Sequence, residues 1–337
     1  MPVESKICRL DELSIPDIGG VMSSSIFVLL PNPRPLEMKF SDDCLRKGLN
    51  LLRYEDWEID RVCDRTNHER FAAHYGFSPA TVAAVLNDNQ QLDEENFFMT
   101  LSWWKIYDTE HRMNARWKLH PETIRDTLED VCKQLAKRKA DKIVFGEFAP
   151  GQIFVASLDC VHFKVQEFGT DPSSKWYSHK HNGPGLTYLM AVDTVKDRIV
   201  WAEGPFPAAT HDITIFRGGT VKAGKETWRK SSLYYKVNEE QRLVGDSGLV
   251  GEPNKISTAL GGHAPLTKEL FARFKSRGET LFRGYKSLEI MGGSSFRHKG
   301  KRGGGAKGKM AYHGLVFDAI TVVMQYALET DGPLFDV

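Results

Sequence analysis

The chain has 337 residues, enough for about two domains of ~150 residues, and 41% of them are hydrophobic, so it can bury sizeable cores. Its 45 Lys and Arg nearly balance its 44 Asp and Glu, so the total charge alone favours neither a nucleic-acid nor an acidic ligand. No apolar run approaches the ~20 residues of a membrane span, and the first residues lack the pattern of a signal peptide, so we expect a soluble protein that is not secreted and does not contact a membrane.

The cysteines favour free thiols. They are odd in number and widely spaced, and no two of them form a C-x-x-C pair: Cys8, Cys44, Cys63, Cys132 and Cys160. This usage is typical of a reducing compartment and argues against a structural zinc site.

Three regions follow one another along the chain. Residues 1–60 are mixed and include the proline-rich "LLPNPRPLEMKF" (29–40), which predicts an extended N-terminal arm. Residues 61–148 have apolar residues three and four positions apart and predict a helical domain. Residues 149–337 begin with short β-rich runs such as "IFVASLDCVHFKV" and "GLTYLMAVDTV" and end in helical patterns, which predicts an α/β domain. The boundary falls near "FGEFAPG" (145–151).

The helical region resembles itself. "YGFSPATVAAVL" (75–86) superposes on "WKLHPETIRDTL" (117–128), with Pro79 matching Pro121. In each copy a helix ends in a tight turn and a second helix restarts at a proline in its first turn, with Ser78 as the predicted cap of the first copy. This pattern indicates a helix-turn-helix, whose second helix lies in a DNA major groove. The alternative is an ordinary helical hairpin repeated for packing.

Basic residues around the second copy could supply DNA contacts. We expect the side chains at the start of its second helix, including Thr123 and Arg125, to reach base edges, and Ile124 and Leu128 to face the core. The residues expected to contact phosphates in this region are Lys118, Lys137 and Arg138. The same charges are also explained by a solvated helix face.

Three acidic residues stand where a sheet and a helix can bring them together. Asp159 lies within an apolar run, where an ionised carboxylate is costly unless it is paired or bound to metal. Asp246 closes the run "RLVGD", and Glu279 lies in a predicted helix over 266–291. Such acids can hold two divalent cations ~4 Å apart, and oxygen-only ligands suit Mg²⁺ or Mn²⁺. Taken singly, each acid could also be a helix cap, a turn former or a surface charge.

Several stretches carry a resemblance to a known family. "SLDCVH", "KWYSHKHNGPGLTYLMAVD", "GPFPAATHDITIF", "LVGDSGL" and "RGETLFRGYK" occur in the order shown by transposases of the PIF/Harbinger superfamily, a group of DDE superfamily endonucleases that includes Harbinger transposase-derived nucleases. The resemblance covers most of residues 150–290. It implies an α/β, ribonuclease H-like DDE catalytic domain preceded by an all-α helix-turn-helix domain.

The resemblance also implies an activity and assigns roles to residues. The expected enzyme is a metal-dependent endonuclease and strand transferase that cuts DNA at transposon ends and joins the 3′-hydroxyl to target DNA. Asp159, Asp246 and Glu279 match the catalytic, metal-binding acids, which hold two Mg²⁺ or Mn²⁺ ions, and Lys286 matches a lysine that follows the glutamate in many DDE enzymes. Asp212 is the rival for the second acid; we interpret it as the N-cap of a short helix, and Asp212 and His211 as auxiliary groups near the site.

Two departures from the family pattern keep a second function open. Ala208 stands where a glycine often follows the proline, and Leu249 stands where an aromatic residue commonly follows Asp-Ser-Gly. Neither removes a metal ligand. The alternative to an active transposase is a domesticated, catalytically silent DNA-binding protein derived from one.

The stretch "FRHKGKRGGGAKGKMAYH" (296–313) is rich in glycine and basic residues and predicts a flexible loop. Its Lys299, Lys301 and Arg302 could clamp a DNA backbone by charge. The partners implied are double-stranded DNA, as terminal inverted repeats and target, a Myb-like DNA-binding protein and further copies of the chain on DNA. The implied location is the nucleus.

Overall fold

Helices make up most of the described residues that precede the sheet, as the helical spacing of apolar residues predicts. The computed structural model describes residues 38–169, 171–222, 225–258, 265–293, 296–297 and 305–332. The helices of this first part are α1 (Ser41–Leu51), α2 (Asp56–Asp60), α3 (Asp64–Tyr75), α4 (Pro79–Asp88), α5 (Glu94–Ile106), α6 (Glu110–Trp117), α7 (Pro121–Lys137) and α8 (Lys139–Lys142).

The arm predicted for residues 1–60 differs from the structure from Ser41 onward. Helix α1 buries Cys44, Leu45 and Leu49, whose spacing places them on one helix face, and it packs against α3 and α4. The proline-rich segment 29–40, from which the extended arm was predicted, therefore ends just before this helix begins. Residues 1–37, which hold most of that segment, lie outside the described residues.

The two copies of the repeat are helix pairs, α3 with α4 and α6 with α7. The predicted cap is confirmed, because the Ser78 hydroxyl accepts a hydrogen bond from the Thr81 amide at 3.0 Å and Pro79 lies in the first turn. Pro121 begins α7 in the same way. Ile124 and Leu128 are buried, as expected.

The sheet follows the helices. Its strands are β1 (Phe154–Lys164), β2 (Tyr177–Ser178), β3 (Gly183–Asp193), β4 (Ile199–Pro207), β7 (Arg242–Gly245) and β8 (Ile256–Thr258), while β5 (Gly219–Lys222) and β6 (Lys225–Trp228) form a separate hairpin. β1 lies between β3 and β7. It is antiparallel to β3 and parallel to β7, β7 is parallel to β8, and β3 also pairs antiparallel with β2 and β4.

Later helices cover the sheet: α9 (Asp212–Phe216), α10 (Leu233–Lys236), α11 (Pro265–Lys286) and α12 (Gly305–Thr330). The ring centroids of Phe163 on β1 and Tyr285 on α11 are 6.3 Å apart, so α11 lies on the sheet face that carries Phe163. Helix α12 packs against α4, α7 and β4 and joins the helical region to the sheet in one core. The chain is thus a mixed α/β protein with an N-terminal helical region.

The loop predicted over 296–313 is wrong from Gly305 onward, where α12 begins and buries Tyr312 and His313. Within the described ranges, Cys44, Cys63, Cys132 and Cys160 are free thiols, as predicted. In the same ranges, no helix combines the length and the apolar character needed to cross a bilayer.

Candidate active site

Asp159 lies in the middle of the central strand β1, opposite Met190 of β3. The side chain is half-buried, and its Oδ1 accepts a hydrogen bond from the Cys160 amide at 2.7 Å. Burial raises the pKa of Asp159 to about 6; the Lys180 charge lowers it, and the charges of Asp246 and Asp212 raise it. Removal from water and like charge therefore act together on this carboxylate.

Asp246 follows β7 directly, as predicted from "RLVGD". The parallel register pairs Ser157 of β1 with Val244 of β7, and continuing it by two residues brings Asp159 level with Asp246. The Asp246 Oδ1 accepts a hydrogen bond from the Gly248 amide at 2.9 Å and caps the short turn Ser247–Leu249. The two acids thus stand side by side at the edge where β7 ends.

Asp212 is not the helix cap that the sequence predicted. His211 occupies the N-cap position of α9 without a side-chain hydrogen bond, and Asp212 is the first helical residue. Its carboxylate lies near the thiol of Cys160, and each of the two groups shifts the pKa of the other. Burial raises the pKa of Asp212, the Cys160 hydrogen bond and the Lys180 charge lower it, and the Asp246 charge raises it. The cap prediction is wrong because α9 begins one residue earlier than expected, at Asp212 itself.

The close approach of Asp212 and Asp246 depends on Gly248. A Cβ atom at this glycine would lie 2.9 Å from Oδ2 of Asp212 and 3.2 Å from Oδ1 of Asp246. Two carboxylates, from α9 and the end of β7, therefore lie close together, and the charges of both act on Asp159 of β1. Among the described residues, no three His, Cys, Asp or Glu side chains already have the arrangement of a metal cage.

Glu279 belongs to a different element, the long helix α11. It is exposed on α11, which forms the predicted helix and buries Phe271, Phe274, Leu281 and Phe282. Strand alternation places Asp159 on the face of Phe163, which α11 covers, whereas Cys160, the partner of Asp212, is on the opposite face. Of the described residues, those whose charges act most strongly on Asp159 are Lys180, Asp246 and Asp212, and Glu279 is not in this group.

Cationic and imidazole side chains lie near the acids, and two of them, Lys180 and His162, were not predicted from the sequence. Lys180 is exposed and donates a hydrogen bond from Nζ to the Cys160 carbonyl at 3.4 Å. His162 is half-buried, and burial, followed by the charges of Lys180, His181 and Lys286, lowers its pKa to about 4. Lys286, the last residue of α11, thus acts on the end of β1 next to the carboxylates, and His211 is exposed at the start of α9. The signal for Lys180 was the run "SHKH", which has no spacing that indicates a site.

The second helix of the first repeat copy is not a free DNA-reading helix. Helix α4 is buried along most of its length and packs between α1 and α12. Its first turn is bonded to the end of the chain, since the hydroxyls of Ser78 and Thr81 donate to the Asp331 carboxylate at 2.5 and 3.1 Å. Insertion of α4 into a major groove would require these contacts to break.

The second copy exposes part of its predicted DNA-contacting set. Lys118, Thr123 and Lys137 are exposed. Arg125 instead forms a two-pronged ion pair with Glu110, with distances of 3.0 Å from Nε to Oε1 and 2.5 Å from Nη2 to Oε2. Arg138 donates to Asp141 at 3.2 Å. The predicted phosphate contacts Lys299, Lys301 and Arg302 lie outside the described residues.

Comparison with known proteins does not add to this picture. No known family model, no curated protein and no solved structure matches the chain. The candidate site therefore rests on its own geometry.

Proposed function

We propose that the chain is a metal-dependent DNA endonuclease and strand transferase of the PIF/Harbinger type, with a ribonuclease H-like catalytic domain. The strand arrangement supports this fold: β1, β3 and β4 are successively antiparallel, and β7 and β8 lie parallel to β1 on its other side. β1 and β7 are neighbours in this sheet; Asp159 lies in β1 and Asp246 directly follows β7.

The observation that carries the proposal is the convergence of Asp159 and Asp246 from adjacent parallel strands, with Asp212 against Gly248 beside them. Burial raises the pKa of Asp159 and the charges of Asp246 and Asp212 add to the rise, so the three acids together present negative charge that a cation can neutralise. A set of oxygen ligands fits Mg²⁺ or Mn²⁺ better than zinc. When bound, two such ions would lower the pKa of an attacking water and stabilise the leaving oxygen.

The residues have distinct tasks in this reaction. Asp159 and Asp246 would hold the cations, and either Glu279 or Asp212 would complete the set from its own face of the sheet. In the cutting step a water oxygen bonds to phosphorus and the bond from phosphorus to the 3′-oxygen breaks. The proton that the water loses is balanced by the one the 3′-oxygen gains, so one fragment of the cut strand ends in a 3′-hydroxyl and the other fragment of the same strand begins with a 5′-phosphate. That 3′-hydroxyl can then attack a target phosphodiester in the same way. Element ends, target DNA, a Myb-like partner, assembly on DNA and a nuclear location belong to this proposal.

Nicking of supercoiled plasmid DNA tests the proposal without knowledge of the element ends. We expect nicking in Mg²⁺ or Mn²⁺ that EDTA abolishes and that Asp159→Asn and Asp246→Asn both remove. Glu240→Gln, at an exposed acid just before β7, is the matched control and should leave nicking intact. Duplex binding without nicking by the unsubstituted protein would favour the domesticated DNA-binding alternative.

Thermal unfolding provides a readout that does not depend on activity. Cations that bind the folded site stabilise it by mass action, so Mn²⁺ should raise the melting temperature of the unsubstituted protein. The rise should shrink in Asp159→Asn and persist in Glu240→Gln. An equal rise in all three would place the cation elsewhere.

A further inference from the structure

The turn between β2 and β3 folds back onto the end of β1. Residues 179–182 connect Ser178 to Gly183, which pair with one another, and Asn182 adopts a positive φ of 50°. His181 Nε2 lies 3.0 Å from the His162 carbonyl, and His162 Nδ1 lies 3.1 Å from the Ser178 hydroxyl. Lys180 adds the bond from Nζ to the Cys160 carbonyl. The turn is thus held against β1 at three points.

The turn occupies β1 beyond the point where β7 stops pairing. The ladder between β1 and β7 ends at Ser157 and Val244, and the carbonyls of Cys160 and His162 lie past that end. Asp159 lies between the end of the ladder and these carbonyls. The turn therefore places its side chains directly beside the carboxylates.

Lys180 is the cation that this arrangement leaves available. Its side chain is exposed, and among the described residues no carboxylate forms an ion pair with it. An ammonium has three N–H donors, and the bond to Cys160, at 3.4 Å, is long. Cys160 links the two groups, because its amide donates to Asp159 and its carbonyl accepts from Lys180. The Lys180 ammonium can therefore donate hydrogen bonds to an anion that is bound beside Asp159.

Lys286 gives the same edge a second positive charge. It ends α11, and its charge acts on His162 together with that of Lys180. The acids and the two lysines thus all act on groups of the last part of β1. A phosphodiester fits both features. Its oxygens can bind cations that the acids hold, and they can accept hydrogen bonds from ammonium groups.

We propose that Lys180 is a catalytic residue whose ammonium donates to a non-bridging oxygen of the phosphodiester held against Asp159 and Asp246. This inference rests on the proposed function. The exposed ammonium neutralises charge on the phosphate as the water attacks, and the turn fixes its position through His181 and His162. Lys286 adds long-range attraction for the same strand.

The test compares Lys180→Met, Lys180→Arg and the matched control Lys236→Met, which removes an exposed lysine at the end of α10. Affinity for a fluorescent duplex is measured in EDTA at several salt concentrations, and plasmid nicking is measured in Mg²⁺ at saturating DNA. We expect Lys180→Met to weaken binding, to reduce the salt slope by about 1 and to slow nicking by about 10²-fold. Lys180→Arg should retain most of both, and Lys236→Met should resemble the unsubstituted protein.

The outcomes separate this inference from the function on which it rests. If the unsubstituted protein nicks DNA and Lys180→Met nicks and binds equally well, the role of Lys180 is overturned while the function stands. If the protein binds DNA without nicking and Lys180→Met binds more weakly, the function fails and the phosphate contact is supported. If the protein neither binds nor nicks, both are overturned. A Lys180→Met protein with a lowered melting temperature but normal DNA affinity would show a purely structural lysine.

Discussion

The carboxylates of Asp212 and Asp246 both lie so close to the backbone of Gly248 that a methyl group on this residue would contact both of them. Asp246 is held there by a hydrogen bond from the Gly248 amide, and Asp212 lies near the thiol of Cys160. Because β1, β7 and α9 each contribute one acid, the local negative charge depends on tertiary packing. Small changes at this glycine should therefore affect the whole site.

Gly248→Ala is expected to separate the two carboxylates. The added Cβ would lie 2.9 Å from Oδ2 of Asp212, so one of the acids must move, at a cost of about 1 to 3 kcal/mol in unfolding free energy. Metal-dependent nicking should fall by at least about tenfold. Gly308→Ala, in α12 with open space around the new Cβ, is the control and should keep full activity. Unchanged nicking by Gly248→Ala would show that the site tolerates movement of these acids.

Asp212→Ser tests the corrected role of this residue. Serine would preserve function if Asp212 were an N-cap, but the structure gives that position to His211 and directs the Asp212 carboxylate toward Cys160 and Asp246. We therefore expect a loss of nicking of about 10²-fold or more with a normal circular dichroism spectrum. Full activity would restrict Asp212 to a charge near the site.

Glu279→Gln decides which face of the sheet supplies the third acid. The side chain is exposed on α11, so the substitution should leave the melting temperature unchanged. If α11 delivers this carboxylate to the cations, nicking should disappear while duplex affinity remains. Retained nicking would leave Asp212 as the third acid and exclude the assignment of Glu279 that the resemblance implies.

The sequence was most informative where local pattern and strand pairing coincide. The apolar runs around Asp159 and before Asp246 predicted two strands, and the strands lie next to each other in the sheet. The role of Asp212 depends on Cys160, more than fifty residues earlier, and that of Ser78 depends on Asp331 at the other end of the chain. Contacts of this separation leave no periodic signal. For the same reason, the burial of α4 under α12 could not be predicted from the repeat.

Asp159 should make stability depend on pH. Its pKa in the fold is raised to about 6 from 3.8, so its contribution to stability is complete below about pH 4 and is lost as the pH rises through 6. Asparagine cannot ionise, so in EDTA near pH 8 the unfolding free energy of Asp159→Asn should exceed that of the unsubstituted protein by about 1 to 2 kcal/mol. This is less than the full pKa shift would give, because water still reaches the side chain. Near pH 4 the two proteins should have equal unfolding free energies.

Urea unfolding across this pH range measures the difference. Glu240→Gln, at an exposed acid, should show no such trend. An equal gain for Asp159→Asn at both ends of the range would attribute its effect to packing rather than to charge.

The second repeat copy allows structural and DNA-contacting charges to be separated. Arg125 is expected to act within the protein, because its guanidinium already holds Glu110 through two hydrogen bonds. Arg125→Ala should thus lower the unfolding free energy by about 0.5 to 1 kcal/mol, as expected for a partly exposed pair, and leave DNA affinity nearly unchanged. A double-mutant cycle with Glu110→Ala measures the coupling.

Lys137 should behave in the opposite way, since it is exposed near the end of α7. Lys137→Ala should weaken binding to all duplexes alike and should reduce the slope of log affinity against log salt concentration by about 1. The melting temperature should not change. Affinities for a fixed duplex and its scrambled version at two salt concentrations distinguish the two variants. If Arg125→Ala relaxes a sequence preference, the ion pair with Glu110 opens on DNA and α7 reads bases. If neither variant changes DNA affinity, the repeat is packing structure and DNA is held at the carboxylate edge of the sheet.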